Sequence, residues 1–422
     1  MLHTVLNEAI NLVNDGKTEQ GLELLENILP TLHDEEKLQL ADQYFQWGIV
    51  DKAHDIVSEL HFLYPEEIQI SLFLAEIFLD LEKEEEAIDL LNTIPESDES
   101  YPQALLLLAD LYQMQGLAEV SEQKLLEAKG LLPEELVIDF ALGEYYFHHA
   151  QYKHAIPYYE LVIREHEEIS GVYIAHRLAE CLSAIGEFET ALDYYKKAIK
   201  RHEDVDTLFG YGMTAFQGGF YKTAIQQLTT LKEADPHYSS LYLYLGKAYE
   251  HEGYLEESLE TVQQGIKYDE YNKELYYFGG KIAIKLGSLV VAEQLLREVI
   301  AIDPGHLEAI ITLSQVFLQE EKYDDVIELI TECKRYGEED PQFDWILARS
   351  YHQKEEYTEA LKHYKEAYNS FKEQHEFLHE YAHFLLEEGL RSEAKTIFSK
   401  LLVEDPSNVE INEILMQLEE EF

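Results

Sequence analysis

At 422 residues the chain is longer than a single hydrophobic core sustains, so it is either several domains or an array that grows in one dimension. Its 32 basic and 84 acidic residues give a formal charge of −52, shared between residues 1–211 (13 basic, 43 acidic) and 212–422 (19 basic, 41 acidic). Such a surface repels phosphate backbones and anionic headgroups, which argues against direct nucleic-acid or membrane binding and makes a basic protein surface the natural complement.

The elements follow one register from the first residues onward. A small residue recurs as Ala9, Ala41, Ala75, Ala109, Gly143, Ala179, Gly212, Gly246, Gly280, Ser314, Ala348 and Ala382. The spacings are 32, 34, 34, 34, 36 and 33, then 34 five times. Twelve residues after each stands Gly21, Ala53, Ala87, Ser121, Ala155, Ala191, Ala224, Ser258, Ala292, Val326, Ala360 or Ala394. Between the two lies a turn, marked by Gly48, Gly116, Gly186, Gly219, Gly253, Gly287 and Gly389. On both sides apolar residues recur at three and four, as in YLYLGKAYEHEGYLEESLETV, so each unit reads as two helices. The small residues fall where the helices cross. Pro65, Pro133, Pro236, Pro304 and Pro406 close second helices, because proline cannot continue one.

This pattern resembles the tetratricopeptide repeat (TPR), with small residues at positions 8, 20 and 27, aromatics at 11, 17 and 24, Gly at 15 and Pro at 32. Leu108, Ala109, Tyr112, Gly116, Ser121, Ala128 and Pro133 fit it in the fourth repeat. In the eleventh, Leu347, Ala348, Tyr351, Tyr357, Ala360, Tyr364 and Ala367 do so. Glu82, Ala150, Glu321 and Glu355 depart from it at the turn, and Val326 departs at a small position. The resemblance implies an all-α, right-handed superhelical solenoid of twelve helix pairs over residues 1–406, like the long TPR arrays of bacterial cytoplasm. Residues 407–422 are expected to form a capping helix, with Ser407 or Asn408 as N-cap and Ile411, Ile414, Leu415 and Leu418 buried. The 36-residue step around REHEEISG (164–171) marks a longer connection and a candidate sub-boundary.

Cys181 and Cys333, the two cysteines, lie inside helical patterns 152 residues apart and make no disulfide framework. MLHTVLNEAINLVNDG does not read as a leader, and no apolar run approaches membrane-spanning length. A soluble, cytoplasmic protein is expected.

Chemistry-bearing motifs are few. HEFLH (375–379) is a literal HExxH, in which His375 and His379 share a helix face and Glu376 stands where a general base would. The longer metzincin signature fails, since Ala382 and Leu385 occupy its next Gly and His places. Metal binding through this segment is the alternative reading. GYGMTA (210–215) follows a helix rather than a strand, and GKT (16–18) lacks the upstream Gly of a P-loop. No nucleophile is assembled with a base, and no catalytic residue, cofactor or metal is expected.

The helix positions that line the concave groove of TPR proteins carry a stronger pattern. Position 9 reads Asp42, Glu76, Asp110, Glu144 and Glu180, then Met213, Lys247, Lys281, Gln315, Arg349 and His383. Positions 5 and 12 add Phe45, Phe140, Phe147, Phe209, Phe216, Tyr277 and Trp345 as apolar anchors. Position 5 is never Lys and position 9 never Asn in repeats two to twelve, so the carboxylate clamp of chaperone-tail binders is absent. The function expected is a non-catalytic scaffold that holds a basic or amphipathic protein segment in an acidic groove. A nucleic-acid-handling machine such as RNA polymerase would be a client of this charge. A self-assembling structural protein is the rival, with a monomer favoured.

Overall fold

The structure, a computed structural model, describes residues 2–420, with side chains for residues 8–419. Its helices come in consecutive pairs and form two compact units, Met1–Arg201 and His202–Phe422. In the first unit the pairs are α1 Leu2–Asn14 with α2 Thr18–Ile28, α3 Asp34–Gln46 with α4 Val50–Leu63, and α5 Ile68–Asp80 with α6 Glu84–Leu91. They continue as α7 Tyr101–Met114 with α8 Ala118–Leu131, α9 Leu136–His148 with α10 Tyr152–Val162, and α11 Ile174–Ala184 with α12 Phe188–Arg201. The second unit holds α13 Val205–Gln217 with α14 Tyr221–Ala234, α15 Ser240–His251 with α16 Leu255–Ile266, and α17 Lys273–Lys285 with α18 Leu289–Ile302. It ends with α19 Leu307–Gln319 and α20 Tyr323–Arg335, α21 Pro341–Gln353 and α22 Tyr357–Phe371, α23 His375–Glu387 and α24 Arg391–Glu404, and a last single helix, α25 Val409–Glu420. The chain is an all-α repeat array.

The pairing follows from the small residues. At three of the four position-8 glycines a methyl group built on the residue would meet the large side chain at position 24 of the same repeat; at Gly246 it would first meet Phe278 of the next repeat, at 3.0 Å. The distances would be 2.8 Å from Tyr159 at Gly143, 2.6 Å from Leu228 at Gly212, and 2.9 Å from Leu296 at Gly280. The alanines at the other crossings are buried to within 1 %. Val326, the one larger residue at these positions, is also fully buried. Ser258 bridges its pair directly, donating its hydroxyl to the Gly246 carbonyl at 2.8 Å.

Between paired helices the chain reverses through one residue of left-handed conformation. Gly253 takes it at φ +83°, and glycine does so without strain. Glu82, Ala150, Glu321 and Glu355 keep the same turn at φ +56° to +62°, although an L side chain there costs about 1–2 kcal/mol. Packing on both sides of the turn therefore fixes its geometry whichever residue occupies it.

The connection that begins at 164 carries the only strands among the described residues. Glu168–Ile169 and Val172–Tyr173 pair as a two-stranded antiparallel hairpin, β1 and β2, around Ser170 and Gly171. Both turn residues have positive φ, which matches the twist of a two-residue hairpin. At the C-terminal end the Asn408 carboxamide oxygen accepts the Ile411 amide at 3.1 Å, which makes Asn408 the N-cap of α25. Ile411 and Leu418 are buried against the last pair. Both cysteines are free and buried, and burial pushes the Cys181 thiol up to about 12.

Two substitutions test this account. Gly212→Ala should destabilise its pair by about 1–3 kcal/mol, read as faster amide exchange in α13 and α14. Ala150→Gly should raise stability by roughly 0.5–1 kcal/mol, the relief of backbone strain less the added freedom of the unfolded chain, read as a higher thermal midpoint.

Candidate functional site

The position-9 stripe divides once side-chain partners are counted. In repeats two to four the acids stand without a cation. Asp42 is exposed and accepts only the Gln46 amide at 2.8 Å. Glu76 is half-buried; burial pushes its carboxyl up, Gln103 partly offsets this by a hydrogen bond, and the like charges of Asp42 and Asp80 push it further. Asp110 is open to water yet walled by protein, and the loss of solvent around it raises its carboxyl too. Among the described residues no Lys or Arg forms an ion pair with any of the three. Beside them the rings of Phe45 and Phe73 meet edge to face at 5.6 Å, bridging adjacent repeats.

In repeats five and six the two acids share one cation. The Arg177 guanidinium donates to both Glu144 oxygens, at 3.0 and 3.3 Å, and to Glu180 at 3.1 Å. Its plane also covers the Phe147 ring at 4.3 Å. The Tyr159 hydroxyl donates to Glu144 at 2.5 Å; burial and that carboxylate push the phenol far above its ordinary range. Glu144 and Glu180 therefore serve a bridge between repeats rather than an open acidic rung. Reading position 9 alone hides this, because Arg177 sits at position 6; its sign was available as an Arg three residues before Glu180.

The second unit uses the same two positions with the charges exchanged. Arg349, at position 9 of repeat eleven, lies 3.5 Å from Glu380, at position 6 of repeat twelve. Tyr364, like Tyr159 at position 24, donates to that carboxylate at 2.8 Å, and the Trp345 indole N–H donates at 3.2 Å. A cavity of about 590 Å³ opens beside this bridge, lined by Arg349, His352, His379, Glu380, His383 and Glu387 among others. Most of its walls come from positions 5, 9, 12 and 13, the positions expected to face a groove.

The remaining aromatics are half-buried and pack on neighbours. Phe140 rests on the first unit's core. Phe209 meets Tyr238 at 4.9 Å, and Phe216 meets Tyr244 at 5.8 Å. Tyr277 lies 5.0 Å from His306, and Trp345 lies 5.3 Å from Phe377. Lys247 and Lys281 stand over the rings of Tyr244 and Tyr277, at 5.8 and 5.6 Å. These side chains pack neighbouring repeats against one another.

The chain is 50 % identical over 421 residues to the TPR repeat-containing protein YpiA of Bacillus subtilis (strain 168), and the alignment spans all of both chains. It belongs to the YpiA-like tetratricopeptide-repeat family. Family models described as YpiA-like tetratricopeptide repeats match residues 113–167, and those for the C-terminal repeats of that family match 341–408. A general tetratricopeptide-repeat model matches 176–239. Solved structures with detectable likeness are more distant. The C-terminal part of a TPR repeat-containing protein from Cytophaga hutchinsonii is 14 % identical, with 65 % of this chain and 98 % of that one covered and a TM-score of 0.44. YrrB, described as a TPR protein with an unusual peptide-binding site, is 20 % identical, with 41 % and 89 % covered and a TM-score of 0.36. Tetratricopeptide-repeat proteins are generally non-catalytic and mediate protein–protein interaction. No described helix of this YpiA-like chain is long and apolar enough to cross a membrane.

The exchanged bridges generate a test. Arg177→Glu alone places three carboxylates together and should destabilise the first unit by about 2–4 kcal/mol, a range reduced for the pair's partial exposure. Adding Glu144→Arg recreates the polarity of the Arg349–Glu380 bridge and should recover more than half of that loss in a denaturant titration.

Proposed function

We propose that this YpiA-like chain is a non-catalytic scaffold that captures a basic or amphipathic protein segment on the carboxylate ladder of repeats two to four. The observation that carries the reading is the contrast within one stripe: Glu144 and Glu180 are satisfied by Arg177, whereas Asp42, Glu76 and Asp110 recur every 34 residues with no cation. Sign matters here. A carboxyl raised above its unfolded value favours folding in its protonated form, and that contribution is lost as pH rises through the folded value. At neutral pH Glu76 and Asp110 therefore subtract from stability. A Lys or Arg supplied by a partner would remove that penalty, so binding gains what folding gives up. The Phe45 and Phe73 edges supply an apolar contact beside the charges, which suits an amphipathic segment over a purely charged one. The family's general role in protein interaction supports the same reading. A cytoplasmic setting, where nucleic-acid-handling machines offer basic surfaces, accords with it.

Lys/Arg-rich and neutral 15-residue peptides on an array, probed with the full chain at low and at high salt, test the ladder. Basic peptides should bind at low salt and lose affinity steeply as salt rises. Asp42→Lys with Asp110→Lys should weaken binding by about tenfold or more. Glu85→Lys with Glu119→Lys changes the net charge equally at exposed helix starts elsewhere, and should weaken it by less than about twofold. Equal loss from both pairs of substitutions would reduce the ladder to bulk charge and end this proposal.

A further inference from the structure

We propose that His379, His383 and Glu410 form a binding site for a borderline divalent metal ion, with Zn²⁺ the best-matched by ligand type, that ties α25 to the twelfth repeat. The HExxH at 375–379 overlaps a second one, HEYAH at 379–383, and the structure favours the second. His379 and His383 are four residues apart on one face of α23, with ring centroids 4.5 Å apart. Glu410 reaches them from the first turn of α25. One ligand atom from each of the three lies within 4.8 Å of the others. A tetrahedral ion with bonds of 2.0–2.1 Å needs its ligands about 3.4 Å apart, a closure that small side-chain rotations supply.

A second observation points the same way. The Nε2 atom of His383 is shielded from water and has no hydrogen-bond partner. A shielded nitrogen with nothing to bond is unfavourable, and a metal ion is one group that satisfies it. A comparable trio elsewhere shows what a filled position looks like. Asp344, His363 and Glu366 are as close to one another, but the Lys334 ammonium stands 2.7 Å from Asp344 and already supplies the cation. Among the described residues Glu410 makes no ion pair with Lys or Arg.

The same geometry argues against a peptidase. In a catalytic HExxH the glutamate faces the metal-bound water as general base. Glu380 is instead held by Tyr364, Trp345 and Arg349 in the bridge between repeats eleven and twelve. The ion would have two imidazoles, one carboxylate and water, and its work would be to fasten the last helix. Binding to the folded form alone would stabilise that end of the array.

The test uses the full chain, stripped with a chelator and titrated with Zn²⁺ by calorimetry, with amide exchange of α25 followed in parallel. One ion per chain should bind and slow exchange in α25. Glu410 is exposed, so Glu410→Gln leaves packing intact; it and His379→Gln should each weaken binding by at least about tenfold. His375→Gln should leave affinity unchanged, since that ring lies outside the trio. Absence of saturable uptake would overturn the proposal. So would uptake that survives Glu410→Gln and His379→Gln, or that is lost with His375→Gln.

Discussion

Two helices can lie side by side at the spacing of this array only if one of them presents almost no side chain where they cross. Gly143, Gly212 and Gly280 leave less than a methyl group of room against Tyr159, Leu228 and Leu296, and the alanines elsewhere have no exposed surface left. That steric demand sets the phase of each repeat, and the phase sets which side chains share a face of the helix pair. Charge and aromatic content act on a frame already decided by volume.

The frame was legible because it rests on residue size repeated at fixed intervals, a property that needs no knowledge of partners in space. Ala41, Ala75 and Ala109 locate their crossings from sequence alone. The turns at Glu82, Ala150, Glu321 and Glu355 were less legible, because their left-handed backbone is imposed by packing rather than announced by glycine. The hairpin at 168–173 was hidden in a segment of four strand residues, too short for alternation to register.

The site was legible in outline and obscure in its electrostatics. Position 9 lists the acids of the stripe, but a list of signs does not say which carboxylates are already paired. Arg177 enters from position 6, Tyr159 from the second helix, and the two together turn Glu144 from a surface acid into part of a joint. Similarly, the overlap of HEFLH with HEYAH is visible in the letters, while Glu410 belongs to another helix and joins His379 and His383 only through the fold. Pairing between elements is long-range information, and periodicity along one chain does not contain it.

The non-glycine reversals carry a mechanical consequence. In a stack whose cohesion is a sum over neighbouring units, strain concentrated at single hinges is not shared out along the whole. The third, fifth, tenth and eleventh repeats each hold such a hinge, so thermal opening should begin there as separate foldons rather than sweep inward from the ends. A repeat array with interior yielding points can loosen a few helices and close again while the flanking repeats stay folded.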